Sequence, residues 1–259
     1  MAPSRAEFFR HNAEGARLLA EAVANVNPGL KRFVHVSSLA AAGPASALES
    51  PRAEHEPNRP VSDYGASKLQ GEIEVLGYKD RFPIAIVRPP MVYGPRDKGV
   101  YVVIKTVSRR LAPVMKGATP DGAKYYSSVH VKDLVRGIMQ IGLADAGRIL
   151  SGEIFYVNSD DVHTYAQLLD AMAGGLGVRA YKLPVPPGVI KAAAHGLDAL
   201  SKLTKKSYPL NPDKLNEILP DFWISTSEKA RTVAGFKPEF DLKTGMADAI
   251  RWYKKEGWL

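Results

Sequence analysis

The chain has no cysteine among its 259 residues. That excludes disulfides, thiolate nucleophiles and cysteine-ligated zinc, and it suits a reducing compartment, so a cytoplasmic location is expected. The six histidines are scattered with no His-x-x-x-His pair, and no metal site is expected. No apolar run approaches the roughly 20 residues that cross a bilayer, and the opening residues hold no signal-peptide core. Neither a transmembrane segment nor a leader is therefore expected. Acidic residues are the scarcer charge, 27 against 35 Lys and Arg, for a net charge of +8. The basic excess is dispersed, with Lys105, Arg109 and Arg110 in one place and Lys202, Lys205 and Lys206 in another. No basic stripe alternates with aromatics, so nucleic-acid binding is not expected; spread charge favours solubility or small anionic ligands.

What is present is ordinary for a globular protein: 45% hydrophobic and 24% charged residues, in a chain long enough for one large or two modest domains. Residues 4–25 read as an amphipathic helix, with Ser4 as cap, Glu7 as its capping-box partner and Asn27-Pro-Gly29 as the stop. Arg32 to Ser38 reads as a strand buried on both faces, 43–61 as a surface loop, 62–77 as a helix and 82–88 as the next strand. Strand, helix and strand in that order predict a parallel sheet with right-handed crossovers. Further on, the pattern predicts helices at 98–112, 131–143, 163–173, 189–204 and 242–255, with a strand at 153–157. In the helix at 189–204, Val189, Ile190, Ala193, Leu197, Leu200 and Leu203 are expected inward, making it a packing or lid helix. Gly174-Gly-Leu-Gly177 follows a helix, so it reads as a C-cap and not as a phosphate loop.

The pattern Tyr-x-x-x-Lys occurs twice, at Tyr64–Lys68 and Tyr101–Lys105. Only the first copy lies between a strand ending Val-Ser-Ser (36–38) and another ending Arg-Pro-Pro-Met-Val-Tyr-Gly-Pro (88–95). That order brings a phenol, an ammonium and a hydroxyl to the carboxyl ends of neighbouring parallel strands. A hydride-transfer enzyme needs those groups there to polarise a carbonyl or deprotonate an alcohol. Each has an ordinary reading as well. The Tyr and Lys could be an exposed helix pair, Ser-Ser a helix cap, Asn12 a group bonded within its helix, and Pro89-Pro90 a strand end. Occurring in order, they favour a site.

Asn12-Ala-Glu-Gly15, Phe33 to Gly43, Tyr64-Gly-Ala-Ser-Lys68, Arg88 to Pro95 and Val129-His-Val-Lys-Asp133 together resemble the extended short-chain dehydrogenase/reductase family, also called the NAD-dependent epimerase/dehydratase family. Glu228-Lys-Ala-Arg, Gly235-Phe-Lys-Pro238 and the terminal Trp252-Tyr to Leu259 fit its closing pattern. The resemblance implies an α/β fold: a partial Rossmann-like parallel sheet over 1–95, with a returning strand near 153–157, and a smaller, mainly helical substrate region over 96–259. It implies NAD or NADP as cofactor, with Ser38, Tyr64 and Lys68 catalytic. Asn12, Ser38, Tyr64, Lys68 and Pro90 would contact the cofactor, and Met91 and Tyr126 the substrate. Lys68 would lower the proton affinity of the Tyr64 phenol, and a homodimer would form through helices 4–25 and 62–77.

The sequence departs from the family at the front, where a strand, a Gly-x-x-Gly-x-x-Gly turn and a helix usually precede the segment holding Asn12. The expectation is a truncated chain with cofactor binding compromised, the alternative being a protein that no longer binds a dinucleotide in the usual way. The strand at 32–37 is expected to have a bare edge, or one covered by a partner chain or an irregular segment. Nucleotide-sugar members carry an arginine shortly before the Val-His-Val-type segment; here Tyr126 stands in that place. This looks more like the branch of 3β-hydroxysteroid dehydrogenases and dihydroflavonol reductases, and implies a hydrophobic alcohol or ketone. The alternatives are a nucleotide-sugar epimerase or dehydratase, and a non-catalytic interaction protein on the same scaffold.

Overall fold

Ser4 opens the first helix by accepting the Glu7 N–H at 3.3 Å. The structure, a computed structural model, describes residues 4–27, 29–159, 161–204 and 210–259. The helix expected over 4–25 forms as α1 (Arg5–Phe9) and α2 (Gly15–Val26), joined by a π-helical turn over Arg10–Glu14. Pro28 of the expected stop lies outside the described residues. There follow β1 (Phe33–Val36), α3 (Leu39–Ala42), a loop, α4 (Asp63–Leu76) and β2 (Ile84–Arg88). Then come β3 (Met91–Tyr93), α5 (Gly99–Ser108), β4 (Leu111–Met115), β5 (Tyr125–His130), α6 (Val131–Leu143) and β6 (Glu153–Tyr156). The chain closes with β7 (Val162–Thr164), α7 (Tyr165–Leu176), β8 (Tyr181–Val185), α8 (Pro187–Thr204), α9 (Pro212–Ile218), β9 (Phe222–Trp223), α10 (Glu228–Ala234) and α11 (Leu242–Lys255).

The fold is α/β, built on a parallel sheet of order β1-β2-β6. Pleating divides the residues of β2 between two cores. Ile84 and Ile86 pack with Ala20, Ala24 and Val75 of α2 and α4, while Ala85 and Val87 pack with Ile141, Phe155 and Phe236 on the opposite face. β2 is wholly buried. β1 is not, contrary to the expectation for its strand: Val36 is 41% exposed, and among the described residues β1 is an edge strand that pairs only with β2.

The remaining strands lie in two smaller sheets, β3-β5-β7 with β9 beside β5, and the parallel pair β4-β8. They add strands to the mainly helical region expected after residue 95. The helix expected over 98–112 ends at Ser108; Arg110 turns at φ 65° and β4 begins. α8 forms as expected, but not with its expected inner face. Val189 and Leu200 are 57% and 42% exposed, Ala193 is exposed, and the fully buried residue is Ala194. Of the other expected inner positions, Ile190 and Leu197 are half-buried. The side chains of Lys202 and Leu203, and residues 205 and 206, lie outside the described residues. Gly177 closes α7 in the left-handed conformation, as the C-cap reading expected.

Candidate active site

Two helix caps build the centre of the site. Ser62 caps α4 by accepting the Gly65 N–H at 3.0 Å, which places Tyr64 in the first helical turn. Ser38 caps α3 by accepting the Ala40 N–H at 3.1 Å. Gly65 lets the two helices touch, because a Cβ there would lie 2.4 Å from the Ala40 carbonyl oxygen. The ordinary reading of Ser38 as a cap is thus correct, and the same hydroxyl stands close to the Tyr64 phenol. Burial pushes the Tyr64 pKa up; the nearby Ser38 hydroxyl opposes this, and the negative Glu217 adds to it.

Lys68 lies one helical turn further along α4, with its Nζ donating to the Val36 carbonyl oxygen at 2.8 Å. Burial lowers the Lys68 pKa, and the nearby Glu72 carboxylate opposes that shift. The resemblance implied that Lys68 lowers the proton affinity of the phenol; burial is the largest influence on Tyr64 in this arrangement, and it acts upward. Behind Lys68, Glu72 takes a two-point grip from Arg88: Nε to Oε1 at 2.8 Å and Nη2 to Oε2 at 2.5 Å, both residues 2% exposed or less. This buried pair locks α4 to the carboxyl end of β2. Asn12 donates from Nδ2 to the Ser67 Oγ at 2.9 Å, so the π-turn reaches the same helix from beneath.

Ser38 and Tyr64 open onto a cleft of about 800 Å³ that Pro90, Met91 and Tyr126 also line. Five of the seven expected site residues therefore share one space. Lys68 and Asn12 are not among the residues that line it. The cleft walls are mainly apolar, supplied by Leu39, Val100, Met115, Val185, Ile190 and Trp223. Its two lysines are already engaged. Lys124 donates to Asp221 at 2.8 Å and to the Leu219 carbonyl at 2.6 Å, and Lys214 is paired with Glu217.

The sequence did not single out α9. Asp213 accepts the Asp63 N–H at 2.9 Å, and Glu217 accepts the Ser62 hydroxyl at 2.6 Å, so α9 clasps the first turn of the helix carrying Tyr64. Asn211 and Pro212 signal a helix start there, but no local signal says what that helix meets.

Residues 2–155 match the NAD dependent epimerase/dehydratase family, and the chain belongs to it. It is 28% identical to a ceramide reductase of Caulobacter vibrioides, across 97% of this chain and 70% of that protein. It is likewise 28% identical to a UDP-glucose 4-epimerase of Streptococcus mutans, across 95% and 70%. It is 32% identical to a dTDP-D-glucose 4,6-dehydratase of Mus musculus, across 96% of this chain and 62% of that one. Among solved structures, gox2253 superposes with a TM-score of 0.77 at 21% identity, covering 99% of this chain and 76% of the other. A UDP-glucuronic acid 4-epimerase from Bacillus cereus, bound to UDP-glucuronic acid and NAD, gives 0.69 at 21% identity, across 95% and 68%. These neighbours share the Rossmann-like fold. The family is one of NAD-dependent enzymes: epimerases, dehydratases and reductases.

Proposed function

We propose that this protein reduces the carbonyl of a lipid-like substrate, with Tyr64 as proton donor and Ser38 as hydrogen-bond donor to the same oxygen. The observation that carries this reading is the cleft itself: apolar walls leading to one phenol and one hydroxyl, with both lysines already neutralised. A diphosphate needs unengaged cations to clamp it; an acyl chain needs apolar walls. The likeness to a ceramide reductase supports the same class.

The donor set suits the nicotinamide–ribose end of a dinucleotide: a hydroxyl, a phenol and an ammonium at the carboxyl ends of β1 and β2. Lys68 spends one of three N–H groups on Val36 and keeps two for a ribose hydroxyl. When bound, NADH or NADPH would supply the hydride. The sequence as given has no Gly-x-x-Gly-x-x-Gly turn. A buried phenol with a raised pKa is neutral near pH 7, the form that can give a proton to a developing alkoxide. Ser38 then steadies the charge on that oxygen before the proton arrives. Glu217 and Asp213 hold the first turn of α4, and Arg88 with Glu72 holds its middle, so the phenol stays at the end of the cleft.

Pairing of two copies through α1, α2 and α4 and a cytoplasmic location belong to the same reading. Exposed Leu18, Leu19 and Ile73 on those helices support the pairing. A nucleotide-sugar substrate is the second reading, favoured by the named activities of the epimerase and dehydratase relatives. Following NADH and NADPH oxidation with a long-chain ketone and, separately, the formation of sugar product from UDP-glucose or dTDP-glucose by chromatography separates them. Turnover of the ketone alone is expected, whereas turnover of a nucleotide sugar alone would overturn the lipid reading.

A further inference from the structure

β4 and β8 form a parallel ribbon in the register Leu111–Tyr181, Pro113–Leu183 and Met115–Val185. Alternation puts those six side chains on one face. Ala112 and Val114 turn the other way, into the core with α5, α7 and α11. At one end of the first face, Pro113, Met115 and Val185 line the cleft that holds Tyr64. At its other end the face comes out into solvent. Leu111 is 43%, Tyr181 70% and Leu183 44% exposed. α8 follows β8 directly and repeats the pattern: Ile190 is in the cleft while Val189 and Leu200 stand in solvent. Val189, Ala193 and Leu200 fall within about 40° of one another at 100° per residue, so they make one outer stripe. The apolar face of the ribbon thus extends from the cleft that holds Tyr64 to the surface.

The rim of this face is basic. Arg109 and Arg110 precede Leu111, Arg179 precedes Tyr181, and all three are exposed. The Tyr181 N–H donates to the Arg110 carbonyl at 2.9 Å, so these arginines gather at one end of the ribbon. On the ribbon's other face Lys182 pairs with Asp170 at 2.9 Å. Apolar side chains with a tyrosine among them, edged by arginines, match the layering of a bilayer surface: acyl chains beneath, anionic headgroups above.

We propose that this face seats the enzyme on an anionic lipid bilayer, so that a lipid substrate moves along the ribbon to Tyr64 without crossing water. The inference rests on the apolar-substrate reading above, but its test needs no turnover. The full chain is floated with vesicles of phosphatidylcholine alone and with vesicles one-third phosphatidylglycerol, at low and near-physiological salt. It is expected to partition onto the anionic vesicles, more weakly at higher salt, and poorly onto neutral ones. The double change Tyr181→Asp and Leu183→Asp should weaken partitioning by at least about tenfold. Arg109→Glu with Arg179→Glu, which leaves the apolar face intact, should do the same on anionic vesicles only.

No partitioning of the parent chain would overturn the proposal, and so would partitioning unchanged in both variants. Loss of self-association in the parent's place, measured by light scattering, would assign the face to a second copy and overturn it too. Should vesicles bind while a long-chain ketone is not turned over, the docking face stands and the substrate reading falls.

Discussion

Tyr64–Lys68 and Tyr101–Lys105 have the same residue types, the same spacing and a helix each, yet the fold surrounds them differently. Tyr64 opens onto the cleft beside Ser38, and its lysine reaches across to the end of β1. Tyr101 gives its hydroxyl to the Trp258 carbonyl, packs its ring against Tyr253 and Trp258 at 5.2 Å, and carries the Lys105 ammonium 5.7 Å above that ring. One phenol faces a space for substrate, and the other fastens the C-terminus to α5. Spacing of four fixes only that two side chains share a helix face; what lies opposite that face decides the chemistry.

The comparison can be strained at several points. The largest effect is expected from Glu72→Ala, which would strand the Arg88 guanidinium in the core behind Lys68. Chemical unfolding should show a loss of about 3–5 kcal/mol, and an unchanged midpoint would mean that α4 is held by other contacts. Lys68→Met should lower turnover by about a hundredfold, whereas Lys105→Met should stay within about twofold. Equal losses at the two lysines would erase the distinction.

His35 tests the floor under the first pair. Burial, followed by the Lys68 charge, pushes its pKa down to about 4, and its Nε2 is buried without a partner. The folded state keeps this imidazole neutral, while the unfolded chain takes up a proton near pH 6.5. Stability should therefore fall as pH drops from about 6.5 towards 4, by up to about 2–3 kcal/mol. In His35→Gln the loss over that window should shrink, as read by unfolding at a series of pH values. Tyr101→Phe marks the small end: about 1 kcal/mol of stability for one lost hydrogen bond, with turnover unaffected.

Much of this contrast was legible before any coordinates. The helices at 131–143 and 242–255 stand where their 3.6-residue pattern puts them. The order of segments around Tyr64 separated it from Tyr101, and Ser38, Pro90, Met91 and Tyr126 gather in the same cleft. What stayed hidden was long-range or short. β4 carries a proline and directly follows a helix, so its five residues left no periodic trace. The outward stripe of α8 looks like a core stripe, because periodicity finds an apolar side without saying what covers it. Asp213 lies 150 residues from the amide it caps, and Glu217 155 from the hydroxyl it holds, so neither contact leaves a pattern in the sequence.

Comparing Tyr64→Phe with Tyr101→Phe on one long-chain ketone, with NADH in excess, tests the account most directly. Tyr64→Phe is expected to lose roughly 10²–10⁴-fold in turnover while still binding the ketone, and Tyr101→Phe to keep the parent rate. Equal turnover in the two variants would contradict the assignment of Tyr64 as the group that delivers the proton.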